Sequence, residues 1–328
     1  MLINKILKII KIRLNFSYVL IFLFLFMFLS CSKNIRFEVL ERNIYYSDKW
    51  QERNIEKREE IIDTIEIIDT IILKQPNDTI IYFYYKNFLV SIKIKYPDVN
   101  IKNKGNILML HGWGMGVNEW CDKTFFCDSA LAKGFTLIIP DFGKTNYILT
   151  EYNETYEKYK EYPTLTWIIN IVISTLQQKF ELLLPESNNF ITGISTGARG
   201  ATLLAYYLPK IFNGVASLSG DYDISKDVDN LYFSYLGDSK KFKNRWEQEN
   251  LAYKIKKYNV PTFIGHGLKD TKANPKQSQD FYNYLVILKP NLKVVAHFDA
   301  NGDHDYNYWN SESENILLFF IEIVDKIL

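Results

Sequence analysis

The chain has 328 residues, of which 47% are hydrophobic, and this is enough apolar material for one large folded domain. Basic and acidic side chains nearly balance, so the formal net charge is only +1. Because no basic tract stands out beyond the N-terminal segment, the composition argues against nucleic acid as a partner.

The N-terminal segment has the layout of a bacterial secretion signal. A basic start without acidic residues precedes the apolar run NFSYVLIFLFLFMFLS, and Cys31 follows this run at once. The ending Phe28-Leu29-Ser30-Cys31 resembles a lipobox, after which the cysteine becomes the lipidated first residue of the mature protein. We therefore expect residues 1–30 to be a lipoprotein-type signal peptide. Cys31 would then anchor an exported, periplasmic or surface-facing protein to a bacterial membrane. An uncleaved membrane anchor is the alternative.

The next segment, residues 31–78, is predicted to be a tether with peripheral structure. Within it the sequence IIDTI occurs at 61–65 and again at 67–71, and β-branched residues at this even spacing favour a strand. A helix is the alternative, because the isoleucines would also share one helical face.

From residue 79 onward, strand and helix patterns alternate along the chain. TIIYFYY and FLVSIKIKY predict a hairpin, and the later strands are continuous apolar runs typical of a parallel sheet buried on both faces. The predicted later strands are 106–112, 135–141, 188–194, 212–220, 260–267 and 291–298. The predicted helices are 122–133, 164–183, 198–209, 275–288 and 314–328. This order predicts an α/β fold with a doubly wound, mostly parallel sheet, an N-terminal hairpin and a small cap insertion at 221–259.

Two cysteines, Cys121 and Cys127, remain once Cys31 is set aside. An exported compartment would permit a disulfide between them. A regular helix over 122–133 would hold them in unfavourable geometry, so the sequence leaves the bridge open.

The stretch ITGISTGARG at 191–200 contains the pattern G-x-S-x-G around Ser195. It lies between an apolar strand and a helix, and a tight turn between them needs small neighbours, which Gly193 and Gly197 provide. The N-terminus of the helix also favours negative charge that develops nearby. Ser195 is therefore the candidate nucleophile, against the alternative of an incidental serine in a turn.

A serine hydroxyl needs a base to become a nucleophile, and the chain has only four histidines. His304 alone falls in a polar loop after the last predicted strand, where the base of a Ser…Asp…His order belongs, so the other three are expected to be structural. Asp270 follows the preceding strand and is the candidate acid that would orient the imidazole. The competing carboxylates are Asp221, Asp223, Asp303 and Asp305.

The glycine-rich loop HGWGMG at 111–116 follows the first predicted parallel strand. Its glycines would let the backbone approach a substrate. The amides of Trp113 and Thr196 are the predicted donors to an oxyanion, with Gly112 as an alternative to Trp113. A phosphate-binding loop is a poor alternative, because neither the lysine nor the glycine spacing of such loops is present.

Taken in order, HGWGMG, GISTG, HGLKD and GDHDYNYW resemble the α/β-hydrolase superfamily. SLSGDYD is similar to the esterase D and putative-esterase branch, whereas HGLKDTKANPKQSQDFYNYL resembles the dienelactone-hydrolase and prolyl-oligopeptidase-like branch. The resemblance implies a catalytic domain at 79–328 with a triad of Ser195, His304 and Asp270. Arg199 departs from the pattern, and it could point away along its helix or project into the acyl pocket.

These features predict a serine hydrolase that acts on a small-molecule carboxylic ester through an acyl-enzyme and requires no cofactor or metal. A peptidase of the prolyl-oligopeptidase type is an alternative, although only about 50 mature residues precede the domain, too few for the propeller of those enzymes. A non-catalytic surface binding protein is a second alternative. The sequence does not indicate an oligomeric state.

The insertion at 221–259 is rich in aromatic side chains, which could line a pocket or pack the insertion onto the sheet. These side chains are Tyr222, Tyr232, Phe233, Tyr235 and Trp246.

The expected lipid anchor can be tested with labelled palmitate in a bacterial host. The full chain should incorporate the label, and Cys31→Ala should lose it because the acylated thiol is gone. Cys121→Ala is the matched control and should keep the label. Incorporation that persists in Cys31→Ala would contradict an anchor at this position.

Overall fold

A computed structural model of the protein describes residues 73–75, 78–226 and 231–327. The expected signal peptide at 1–30, the lipidation site Cys31 and the repeat at 61–71 lie outside these residues. Within the described part of the chain, no helix is long and apolar enough to cross a membrane.

Within these described residues nine strands form one sheet, as the alternating pattern predicted in outline. They are β1 (Leu73–Gln75), β2 (Asp78–Tyr85), β3 (Phe88–Lys95), β4 (Gly105–Leu110), β5 (Phe135–Asp141), β6 (Asn189–Ile194), β7 (Gly214–Leu218), β8 (Thr262–Gly267) and β9 (Val294–Asp299). The spatial order is β1-β2-β3-β5-β4-β6-β7-β8-β9. The N-terminal strands β1 to β3 pair antiparallel, β3 joins β5 antiparallel, and every later pair is parallel. The predicted fold class is confirmed.

Ten α-helices accompany these strands in the described residues. They are α1 (Glu119–Lys123), α2 (Phe126–Ala132), α3 (Leu165–Trp167), α4 (Ser174–Phe180), α5 (Thr196–Tyr207), α6 (Phe233–Leu236), α7 (Lys243–Glu249), α8 (Pro275–Leu288), α9 (Tyr306–Ser311) and α10 (Ser313–Ile327). A π-helical segment, Ile168–Ile173, joins α3 to α4 into one continuous stretch. One core cluster contains side chains of α2, α10 and the parallel strands, among them Phe126, Phe320 and Phe190.

The central strands have the burial that their apolar sequences require. Every residue of β6, β7 and β8 is buried, whereas buried and less buried residues largely alternate along β3. Strands covered on both faces need apolar residues throughout, and strands covered on one face need them at every second position. Since parallel strands end at the same edge of the sheet, the loops after β4, β6, β8 and β9 meet there.

The prediction of a regular helix over 122–133 is wrong, because the helix is interrupted at Thr124. This residue is extended, with φ −138° and ψ 160°, and its hydroxyl donates to the carbonyl of Trp120 at 2.6 Å. The break separates α1 from α2 and brings the Cα atoms of Cys121 and Cys127 to 5.2 Å, and the two sulfurs are bonded. The local departure from helix geometry is therefore what makes the disulfide possible.

Most aromatic side chains of the insertion pack inward. Tyr222, Tyr232 and Tyr235 are each at most 2% exposed, while Phe233 is 39% exposed. The ring of Tyr222 stacks on Phe281 of α8 with centroids 4.3 Å apart. Tyr222 and Tyr232 therefore pack the insertion onto the rest of the domain, whereas Tyr235 also borders a small cavity beside Thr155 and Tyr159.

Arg199, whose orientation the sequence left open, is fully buried and joins three parts of the chain. From α5 its guanidinium donates to the carbonyl of Asn146 at 2.7 Å and to that of Tyr147 at 3.1 Å. It also donates to the carbonyl of Glu249 at 2.8 Å and to its carboxylate at 3.2 Å. The side chain therefore fixes the loop after β5 and the end of α7 to the helix that follows Ser195.

The carboxylate of Glu249 continues the same network. Its Oε1 atom accepts from the amide of Leu149 at 2.8 Å and from the hydroxyl of Tyr152 at 2.9 Å. Burial raises the pKa of Glu249, and the guanidinium of Arg199 acts in the opposite direction. A buried charge of this kind is tolerated only while its partner is present.

Removal of one partner of this pair should destabilise the protein strongly. Arg199→Met leaves the carboxylate of Glu249 buried without its cation, so the free energy of unfolding in urea should fall by about 3–5 kcal/mol. Lys243→Met breaks the exposed pair with Glu247 and is the control, for which we expect a loss of about 0.5 kcal/mol or less. The double variant Arg199→Met with Glu249→Leu should recover part of the loss. Equal losses for Arg199→Met and Lys243→Met would contradict this account.

Candidate active site

Ser195 occupies the tight turn between β6 and α5. Its backbone has φ 56° and ψ −127°, a conformation that residues with side chains rarely adopt. A Cβ atom at Gly193 would lie 2.1 Å from the carbonyl oxygen of Gly197, and one at Gly197 would lie 2.3 Å from that of Leu110. Only glycine fits at these two positions, which is the physical reason for the pattern G-x-S-x-G.

His304 lies between Ser195 and Asp270. Its Nε2 atom is 3.0 Å from the Oγ atom of Ser195, and its Nδ1 atom is 2.6 Å from the Oδ2 atom of Asp270. Since a carboxylate oxygen only accepts, Nδ1 donates to Asp270 and leaves Nε2 to accept from the serine hydroxyl. The structure thus brings together the three side chains that the sequence singled out, from the loops after β6, β8 and β9.

The carboxylate of Asp270 is fully enclosed and accepts four hydrogen bonds. Its Oδ1 atom accepts from the amides of Lys272 at 2.7 Å and Ala273 at 2.8 Å. Its Oδ2 atom accepts from His304 and, at 3.0 Å, from the Nε2 atom of His266. Burial acts to raise the pKa of Asp270, but the hydrogen bonds from His266 and His304 outweigh it and hold that pKa well below the usual value. Asp270 therefore stays charged at neutral pH.

The competing carboxylates have other partners. Asp303 accepts from the backbone amide of His304 at 2.7 Å, and Asp305 accepts from the amide of Tyr308 at the start of α9. Asp223 accepts from the side chain of Asn250 at 2.7 Å. These contacts are consistent with the choice of Asp270.

The glycine-rich loop at 111–116 lies directly against Ser195. A Cβ atom at Gly112 would be 3.1 Å from that of Ser195. The amide of Ser195 itself donates to Leu218 at 2.9 Å. Among the described residues, the amides of Gly112 and Trp113 have no protein acceptor, and the amide of Thr196 lies at the first position of α5, where an amide has no acceptor within the helix.

The side chain of Trp113 is held by the insertion. Its Nε1 atom donates to the hydroxyl of Tyr235 at 2.8 Å, and that hydroxyl donates to the carbonyl of Lys144 at 2.5 Å. The ring of Tyr159 stacks on Tyr235 at 4.7 Å and meets Trp113 edge-on at 5.9 Å. The conformation of the glycine-rich loop is therefore supported from outside the loop.

The other histidines have structural contacts, and one of them belongs to the site. His111 accepts from the amide of Phe142 at 2.8 Å, and burial lowers the pKa of His111. His297 contacts Glu312 at 2.6 Å. His266 was expected to be structural, but its Nε2 atom lies 3.0 Å from the Oδ2 atom of Asp270. The spacing of four residues in HGLKD was the only signal of this contact.

Metal ligands do not cluster in the described part of the chain. Within residues 73–75, 78–226 and 231–327, no group of three or more His, Cys, Asp or Glu side chains could hold a metal ion.

The sequence matches a known protein family over most of the folded domain. Residues 105–320 match the family model described as "Putative esterase", and this range contains Ser195, Asp270 and His304. No curated protein matches the sequence.

Solved structures share the fold at low sequence identity. FphF, a fluorophosphonate-binding serine hydrolase of Staphylococcus aureus, is 19% identical with a TM-score of 0.56, over 78% of this chain and 97% of its own. An S-formylglutathione hydrolase from Agrobacterium tumefaciens is 14% identical with a TM-score of 0.60, over 77% and 98%. An acylaminoacyl peptidase of Pyrococcus horikoshii is 16% identical with a TM-score of 0.56, over 76% of this chain but only 42% of its own. At these identities the likeness shows the α/β-hydrolase fold alone.

Proposed function

The chain belongs to the esterase family that its residues 105–320 match, and on that premise we propose that it hydrolyses carboxylic esters through an acyl-enzyme formed on Ser195. One observation carries the proposal: His304 bridges Ser195 and Asp270 through both of its ring nitrogens. A serine hydroxyl is a weak nucleophile until a neighbouring base takes its proton, and this bridge supplies the base.

In the proposed reaction His304 acts first as a base and then as an acid. Its Nε2 atom accepts the proton of the Ser195 hydroxyl as Oγ attacks the ester carbonyl, and the charge of Asp270 stabilises the imidazolium that forms. His304 then gives this proton to the leaving alcohol, and the acyl group remains on Ser195. A water molecule, deprotonated by His304 in the same way, releases the acid and restores the serine.

The oxyanion that forms in each attack is proposed to accept from two backbone amides. Thr196 is the first residue of α5, a helix of 12 residues, so its amide lies at the helix N-terminus. The helix dipole favours negative charge at this end. Trp113 would supply the second amide, with Gly112 as the alternative. Such donors are already in place before the charge develops, which is the basis of their effect on rate.

Loss of the nucleophile or the base should abolish turnover of short p-nitrophenyl esters. Ser195→Ala and His304→Ala should each lower kcat roughly 10⁴-fold or more, because loss of one member of a catalytic triad costs about as much rate as loss of all three. Ser225→Ala, at an exposed serine, is the matched control and should retain the wild-type rate. A fluorophosphonate should label the wild type and not Ser195→Ala, and labelling of that variant would contradict the assignment of the nucleophile.

A panel of esters and amides distinguishes an esterase from a peptidase. We expect hydrolysis of several carboxylic esters and little hydrolysis of Xaa-Pro amides, with Ser195→Ala as the blank for both sets. Hydrolysis of the amides without any ester would favour the peptidase alternative. Absence of hydrolysis in both sets, with no fluorophosphonate labelling, would favour a binding protein.

A further inference from the structure

We propose that His266 is a positioning residue that holds the carboxylate of Asp270 in the orientation that His304 requires. The inference rests on the proposed function, since it assigns His266 a part in activating Ser195. His266 does not touch the reacting atoms and acts through Asp270.

The two oxygen atoms of Asp270 are held in different ways. Oδ1 is fixed by the amides of Lys272 and Ala273, both in the same turn as Asp270 itself. Oδ2 accepts from two imidazoles, those of His304 and His266. In the described residues His266 is therefore the only hydrogen-bond partner of Oδ2 other than His304, the side chain that Oδ2 has to orient.

The position of His266 is set by regular structure rather than by a loop. It lies in β8, its side chain is fully enclosed, and its Nδ1 atom is 2.6 Å from the hydroxyl of Ser278 in α8. Because Oδ2 can only accept, Nε2 of His266 carries the proton, and in the neutral ring Nδ1 then accepts from Ser278. Strand β8 and the 14-residue helix α8 thus hold the imidazole of His266, and this imidazole in turn holds the carboxylate of Asp270.

The geometry makes the second imidazole a determinant of rate. Without His266, the carboxylate keeps the amide contacts of Oδ1 but can rotate about its own axis, which moves Oδ2. His304 would follow Oδ2, and the 3.0 Å contact between Nε2 and the Ser195 hydroxyl would lengthen. Displacement of a reacting group by a fraction of an ångström is costly because catalysis depends on near-attack geometry.

Two amide substitutions separate positioning from packing. In His266→Gln the side-chain amide nitrogen lies near the place of Nε2, so it can still donate to Asp270. In His266→Asn the amide reaches only to the place of Nδ1, so this donor is lost. Both variants remove the imidazole and keep a polar, uncharged side chain.

The rate constant for labelling by a fluorophosphonate is the main readout, with kcat and KM for a p-nitrophenyl ester as the second. His266→Asn should label roughly 10- to 100-fold more slowly and lose kcat with KM nearly unchanged, as expected for a lost hydrogen bond to a charged group. His266→Gln should label within about threefold of the wild type. His297→Gln, on the neighbouring strand β9, is the control and should label at the wild-type rate. Urea unfolding should show similar stability for the Gln and Asn variants at position 266.

The possible results separate the failure of this inference from the failure of the proposed function. If the fluorophosphonate labels the wild type and not Ser195→Ala, the proposed function stands. The two variants at position 266 then test only the role of His266. Labelling of His266→Asn at the wild-type rate, or equal slowing of His266→Gln and His266→Asn, would overturn it. Labelling of Ser195→Ala, or none of the wild type, would overturn both.

Discussion

Close backbone contact at the carboxyl edge of the sheet is the constraint on which the rest of the structure depends. Gly197 lies against the carbonyl of Leu110, and Gly267 lies against the backbone of Gly302. The first contact seats the turn of Ser195 beside the glycine-rich loop, and the second seats the loop of Asp270 beside that of His304. A side chain at either glycine would push these loops apart. The hydrogen bonds of His304 with Ser195 and Asp270 would then exceed the usual donor–acceptor distance.

Much of the fold and of the candidate site could be predicted, because those parts depend on local pattern and on order along the chain. Continuous apolar runs identify strands that are buried on both faces, and parallel strands bring their following loops to one edge. Ser195, Asp270 and His304 were therefore brought together in prediction by the G-x-S-x-G pattern, by the order of these residues after successive strands and by the resemblance to the α/β-hydrolase superfamily. No knowledge of side-chain contacts was needed for that step.

The features that could not be predicted depend on single long-range or irregular contacts. The extended conformation of Thr124, which breaks the helix and permits the disulfide, has no signal in the apolar pattern. The burial of Arg199 against Glu249 joins residues 50 positions apart. His266 was expected to be structural, because the sequence does not reveal that its ring is within hydrogen-bond distance of Asp270, four residues later.

The hydrogen bond from Trp113 to Tyr235 has a consequence for how this fold can be diversified. The indole belongs to the glycine-rich loop that borders Ser195, and the tyrosine belongs to the insertion at 221–259. The insertion is therefore not a module that can be exchanged freely with that of a related hydrolase. A graft from another family member would also have to supply a hydroxyl at the place of Tyr235, or the indole of Trp113 would lose its hydrogen-bond acceptor.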